Sequence, residues 1–381
     1  MTTAAPPLHE EERPGVTTLE LFFDLVFVFT MTQLTGKLEH DLTLDTVIQI
    51  VLVLVVLFWM YSGYVWLTNQ VPPVTTPTRL LLIAGMAGFL VCALAVPHAF
   101  DTDAVEFAIG FLVVIVVHSG MFANAYGRGT LGFVPLNFVG AACILAAAFI
   151  GGTAAYALWL VPIVLTFVSS TLTQRDTGLA DSGFTFRSSH LVERHGLLLL
   201  VAFGESIVAI GIGLAEVELE PRMYVAAVLG LVLVSALWWT YFAGDDERAL
   251  EALHGAAPRD QIGMAIGGFF YAFVAMLFGI VTLAAGMALT IANVDVRTPL
   301  ETAALLGAGA AVYVGGDVLF RSKLAIEPLR FRAAAIPFLL LTIPLGSNVS
   351  GLAQLLALIG VFVAVLFVEK RDRPALVSAS G

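Results

Sequence analysis

Charge is what this sequence has least of. Asp, Glu, Lys and Arg supply 12% of its 381 residues, about half the share of a soluble domain. With 59% hydrophobic residues and a mean hydropathy of +0.93, an ordinary water-soluble fold is excluded. Cysteine is nearly absent. Cys92 and Cys143 both fall inside apolar runs, which leaves no disulfide framework or thiolate metal site, and both read as small core residues. There is no basic cluster and no nucleic-acid motif, so no nucleic-acid partner is expected. The short alternating segments of a transmembrane β-barrel are missing as well. Residues 1–16 are polar, with Glu10, Glu11 and Glu12, and the first apolar run continues as a span, so no cleavable signal peptide is expected. The net charge of −11 is scattered through loops and helix ends and reads as a property of the solvated surface.

What is present is a series of long apolar runs with short polar breaks, the pattern of a polytopic, all-α membrane bundle. The 35 glycines lie mostly within those runs, where they suit close helix packing. Twelve spans are predicted: 18–36, 45–67, 79–97, 105–126, 133–151 and 155–172, then 195–214, 223–243, 262–291, 301–320, 331–346 and 350–368. Placing the N-terminus in the cytoplasm puts fifteen of the 18 Lys and Arg residues in inside segments and leaves only Lys37, Arg222 and Arg297 outside. That bias follows the positive-inside rule and predicts a multi-pass chain in the cytoplasmic membrane with both ends in the cytoplasm.

The halves look related. Leu57-Phe58-Trp59-Met60-Tyr61 has a counterpart 180 residues later in Leu237-Trp238-Trp239-Thr240-Tyr241. Pro77 with Arg79 and Pro258 with Arg259 open the third and ninth spans, and Phe22-Phe23-Asp24 lies over Phe203-Gly204-Glu205. Two six-helix repeats would share one orientation. The expected organisation is an N-terminal cytoplasmic segment (1–17), a first repeat (18–172), a cytoplasmic linker (173–194), a second repeat (195–368) and a tail (369–381).

The run Glu20-Leu21-Phe22-Phe23-Asp24-Leu25-Val26-Phe27-Val28-Phe29 is nearly all apolar, yet carries two carboxylates four residues apart. Together with His190-Leu191-Val192-Glu193-Arg194-His195-Gly196, which leads into Gly204-Glu205-Ser206-Ile207, it resembles the bacterial low-temperature-requirement A family. Trp238, Trp239, Tyr241 and Phe242 follow that pattern, while His195 stands where the family usually has Phe and Ala243 where Asp is common. The resemblance spans the chain and implies a multi-pass bacterial membrane protein; it brings no settled biochemical activity. A weaker likeness links Phe22-Phe23-Asp24 to the Phe-Ser-Asp motif of lysosomal-type potassium channels, by analogy only.

Intramembrane carboxylates are expensive and usually pair, line a water path or bind something. Asp24, about 10 Å into its span, is a candidate ion-binding group; the alternative is a structural ion pair with a neighbouring helix. Glu20 has a strong structural alternative, since an acid in the first turn complements the helix dipole. Glu205 falls near mid-membrane, where a buried carboxylate suits proton exchange, against a neutral glutamate in a packing seam. His190, Glu193, Arg194 and His195 are read as an entrance or gating cluster. The metal alternative is weaker, because outside residues 1–16 His-x-x-Glu occurs only once and no zinc-peptidase spacing is present. Secondary candidates are His118, more readily a core histidine than a proton relay, and Asp317 with Arg321, an i,i+4 pair.

The expected function is a transporter or channel moving H⁺, another cation or a small solute past Asp24 and Glu205. No cofactor is expected, and Gly211-Ile212-Gly213 lacks the P-loop lysine. Partners are the lipid bilayer and a small ion or solute, and a homo-oligomer is compatible with the sequence. Two alternatives stand: an intramembrane enzyme acting on a lipid or isoprenoid, which lacks a recognisable nucleophile, and a structural or assembly protein.

Overall fold

The computed structural model describes residues 15–126, 134–175, 187–215 and 217–372, and contains helices and no strand among them. The first six spans are α1 (Thr18–His40), α2 (Leu44–Gln70), α3 (Thr76–Ala95), α4 (Ala104–Tyr126), α5 (Val134–Ile150) and α6 (Gly152–Arg175). The second series is α7 (Ser188–Gly213), α8 (Pro221–Phe242), α9 (Asp245–Gly255), α10 (Pro258–Ile291), α11 (Leu300–Lys323), α12 (Arg330–Leu340), α13 (Ile343–Asn348) and α14 (Gly351–Asp372). Eleven of these stretches are long and apolar enough to cross a membrane, with α12 and α13 together making one, and the apolar α5 is shorter at 17 residues. The protein is a multi-pass membrane helical bundle.

Local chemistry explains where the helices start. Thr17, Thr43 and Thr75 stand just outside α1, α2 and α3, and each side chain accepts a backbone N–H from the first turn, as N-caps do. Gly244, at φ +109°, turns the chain between α8 and the amphipathic α9, which does not span. Three boundaries differ from the sequence reading. α7 begins at Ser188, so His190, Glu193 and Arg194 belong to its first two turns and not to a linker. α10 is continuous but carries a π-helical turn at Ile266–Ala272. The predicted span 331–346 is broken, with Leu341 and Thr342 separating α12 from α13.

The neighbour pattern of the first six spans recurs in the second six. α3 packs along α1 and α4, as α10 packs along α7 and α11. α6 lies against α2 and α5, as α14 lies against α8 and the α12–α13 pair. Glycine sets the closest approaches. A Cβ on Gly88 or Gly110 would come within 2.9 Å of the other's carbonyl oxygen across α3–α4. One on Gly279 would come within 2.5 Å of the Tyr313 amide nitrogen across α10–α11. α1 sits amid this framework against α3, α7 and α10, and the seam between α1 and α7 carries most of the predicted site residues.

Candidate functional site

The end of the seam at Thr18 and Ser188 is an ion-paired cluster. Glu20 closes a capping box on α1, accepting the Thr17 backbone N–H at 2.9 Å through Oε2. Its other oxygen, Oε1, accepts from Arg194 Nη1 at 2.9 Å and contacts His190 Nε2 at 3.0 Å. One turn further, Asp24 Oδ1 accepts from Arg194 Nη2 at 2.7 Å, and Arg194 Nε lies 3.0 Å from both carboxylate oxygens. The Tyr61 hydroxyl of α2 donates to Asp24 Oδ1 at 2.8 Å. Glu20, Asp24, His190 and Arg194 are all buried, at 2% exposure or less. Phe23 and Tyr61 flank the guanidinium at 5.7 and 5.9 Å. Burying these charges is costly, and the complete pairing offsets that cost.

Not every residue of the predicted entrance cluster joins in. Glu193 is exposed and accepts the Val16 N–H at 3.4 Å, at the edge of the bundle. His195 points the other way, into a box of Phe58, Tyr61, Phe269 and Phe273 at centroid distances of 5.0–6.5 Å. Its Nδ1 reaches the Leu191 carbonyl at 3.0 Å, while Nε2 has no hydrogen-bond partner. Phe269 belongs to the π-helical turn of α10, so that irregular turn helps to close the box.

Glu205 is a separate case. It lies on α7, eleven residues beyond Arg194, and accepts a 2.5 Å hydrogen bond from Thr32 Oγ1 on α1. Thr32 is eight residues past Asp24, or about 12 Å along the helix. α1 and α7 therefore run in the same direction, with Asp24 level with Arg194 and Thr32 level with Glu205. The two carboxylates do not stand at equivalent levels. The turns between them carry Phe27, Met31, Leu198 and Leu199, all fully buried. Glu205 is 3% exposed, and its Oε1 has no hydrogen-bond partner.

A second buried network, largely invisible in the sequence, ties together α9, α11, α12 and α14. Arg332 pairs with Asp317 at 2.6 Å, Asp245 at 2.9 Å and Glu369 at 3.0 Å. Arg321 pairs with Asp245 at 2.6 Å and Glu369 at 3.1 Å. Asp317 and Arg321, expected to bond each other, instead each bond partners on other helices. The early hint was the placement of Asp245, Arg332 and Glu369 at the ends of predicted spans, where charged residues attract little notice.

His118 is buried against Tyr64 and Phe122, with Nδ1 unpartnered, an arrangement that suits a core residue. Asn137 makes an interhelical bond, accepting from Trp59 Nε1 at 3.2 Å. A small crevice beside that bond, lined by Val56, Gly140, Pro162 and Thr166, contains none of the candidate residues. Among the described residues, no three His, Cys, Asp or Glu side chains gather as a metal-binding group.

Comparison with known proteins bears on the whole bundle. A family model for the bacterial low temperature requirement A protein matches residues 15–368. The chain is also 28% identical over 293 residues to an uncharacterized protein of Rhizobium meliloti, a match covering 72% of this chain and 69% of that protein.

Proposed function

We propose that this chain, which belongs to the bacterial low temperature requirement A family, moves H⁺, another cation or a small solute across the inner membrane along the α1–α7 seam. The observation that carries the proposal is the state of Glu205. Its carboxylate is buried well inside a span, bonded by one hydroxyl and with one oxygen unpartnered. Such a group is expensive in a membrane unless it takes up a proton or a cation. Asp24 has a different part. Already neutralised by Arg194, it joins Glu20 and His190 in closing the inner end of the seam.

The excess of Lys and Arg supports a cytoplasmic position for that end and for both termini. The recurring neighbour pattern supports two six-helix repeats in parallel orientation. Flux measurements on the full chain in proteoliposomes test the transport reading. An imposed pH or cation gradient should collapse faster than in empty vesicles, and Glu205→Gln should abolish the difference. If no gradient moves with the wild-type chain, transport of H⁺ or a cation is wrong. A second reading, that these helices serve structure or assembly, is favoured by the buried pairing of Asp24 with Arg194. Under it, Glu205→Gln leaves cellular function intact while Asp24→Asn depletes the folded protein.

A further inference from the structure

The exposed face of α1 changes character along its length. Towards Thr18 it consists of Phe22 and Leu25, 54% and 53% exposed, as expected of a surface against lipid. Towards His40 it becomes polar: Thr32, Gln33 and Gly36 are half-buried and His40 is exposed. Helical phase places Glu39 on the same side as Thr32, two turns further on. The surface is open at two glycines. A Cβ on Gly36 would meet nothing within 4 Å, nor would one on Gly204, which precedes Glu205 on the facing helix.

Unsatisfied carboxylate oxygens stand at both ends of this polar face. At its inner end Glu205 is held to Thr32, with Oε1 buried and unpartnered. At its outer end Glu39 is half-buried with its own Oε1 unpartnered, two turns or roughly 10 Å further along α1 than the Thr32 that holds Glu205. Other charged groups share this end of α1: His40 acts on Glu39 itself, and Asp41, Asp45 and Asp101 act on Lys37. Lys37 donates to the Pro97 carbonyl at 2.6 Å, and His40 Nδ1 contacts the Gly36 carbonyl at 2.7 Å. Beyond Asp260, α10 carries no Asp, Glu, His, Lys or Arg. Arg222 of α8 is paired with Glu220 and Asp295. Towards Thr18, the way from Glu205 is blocked by Phe27 and Met31 and then by the Arg194 ion pairs.

We infer that Glu205 exchanges a proton with the aqueous space at the His40 end of α1, by way of Glu39, and is sealed from the Thr18 end. The inference rests on Glu205 as the working group and adds the side from which it is reached. A carbodiimide, which attacks protonated carboxyl groups, tests it on the full chain in vesicles of defined orientation. Each side is buffered separately, and peptide mass spectrometry reads the modification. Modification of Glu205 should fall by about tenfold for each pH unit added above its titration point on the His40 side, and should ignore the pH on the other side. Glu205→Gln should remove the signal. Gly36→Leu, which the open space accommodates, should slow it by covering the surface there. Modification that follows the Thr18 side, is indifferent to Gly36→Leu, or never occurs at any pH overturns the inference. The measurement needs no net flux, so it can succeed even where the transport assay fails.

Discussion

Arg194 sets the cost of disturbing the inner cluster. It commits Nε and Nη2 to Asp24 and Nη1 to Glu20 in a place with no more than 1% exposure. Removing one partner of such a pair strands a buried charge at a cost of about 3–5 kcal/mol, whereas replacing both partners with neutral groups costs far less. Arg194→Met, which strands the buried carboxylates of Glu20 and Asp24 together, should therefore destabilise the protein by about 3–5 kcal/mol in detergent unfolding. Asp24→Asn alone leaves Arg194 with Glu20 and should cost less; added to Arg194→Met it removes one stranded carboxylate and should recover part of the loss, and simple additivity in the double-mutant cycle would disprove the coupling. Arg194→Lys should also lose stability, because an ammonium cannot reproduce the guanidinium fork across two carboxylates. The spacing of Glu20 and Asp24 on one helix face was legible, since it is local. Their partner was not, because it is 170 residues away from Asp24 and spacing along a chain carries no information about which helix comes alongside.

Helix starts decide which residues share a level. Reading the seventh span from 195 sets Asp24 beside Glu205, but the helix starts at Ser188, seven residues earlier, or about two turns. Apolar runs mark only the membrane-buried part of a helix, so a polar first turn that is buried by protein was read as a linker. The glycines of α10 and α11 were legible as packing residues, though not the pairs they form. Gly279 illustrates what is at stake: any side chain there meets the backbone of Tyr313 and Gly309, not the end of a flexible side chain. Gly279→Val should cost at least the 1–3 kcal/mol or so typical of overpacking and weaken the α10–α11 pair. Gly315→Ala, on the same α11 but with nothing within 4 Å, should be neutral or stabilising by up to about 1 kcal/mol. Equal losses at the two sites, measured by thermal unfolding, would show that helix propensity and not close approach governs this seam.

Across the whole molecule, the two buried ion networks lie at one end of the bundle if every span crosses. Glu20 is at the start of α1, Asp317 and Arg321 near the end of α11, Arg332 at the start of α12 and Glu369 near the end of α14. Four of the arginines that weigh in the inside count, Arg187, Arg194, Arg321 and Arg332, are buried in protein; part of the bias reflects packing and not topology. The span count then rests on the two weakest crossings. α5 has 17 residues and covers about 25 Å, short of the roughly 30 Å hydrocarbon core. The α12–α13 span is interrupted at Leu341 and Thr342 and contains Pro337 and Pro344. If one of these fails to cross, every later segment changes sides and the termini end on opposite faces. If both cross, tags placed before residue 15 and after residue 372 should be reached from the same side by an impermeant reagent. Tags reached from opposite sides would mean that one of these two segments does not span, and would break a pairing described above: without α5 the bonded Glu20 and Arg194 would start on opposite faces, and without the α12–α13 crossing the bonded Arg332 and Glu369 would.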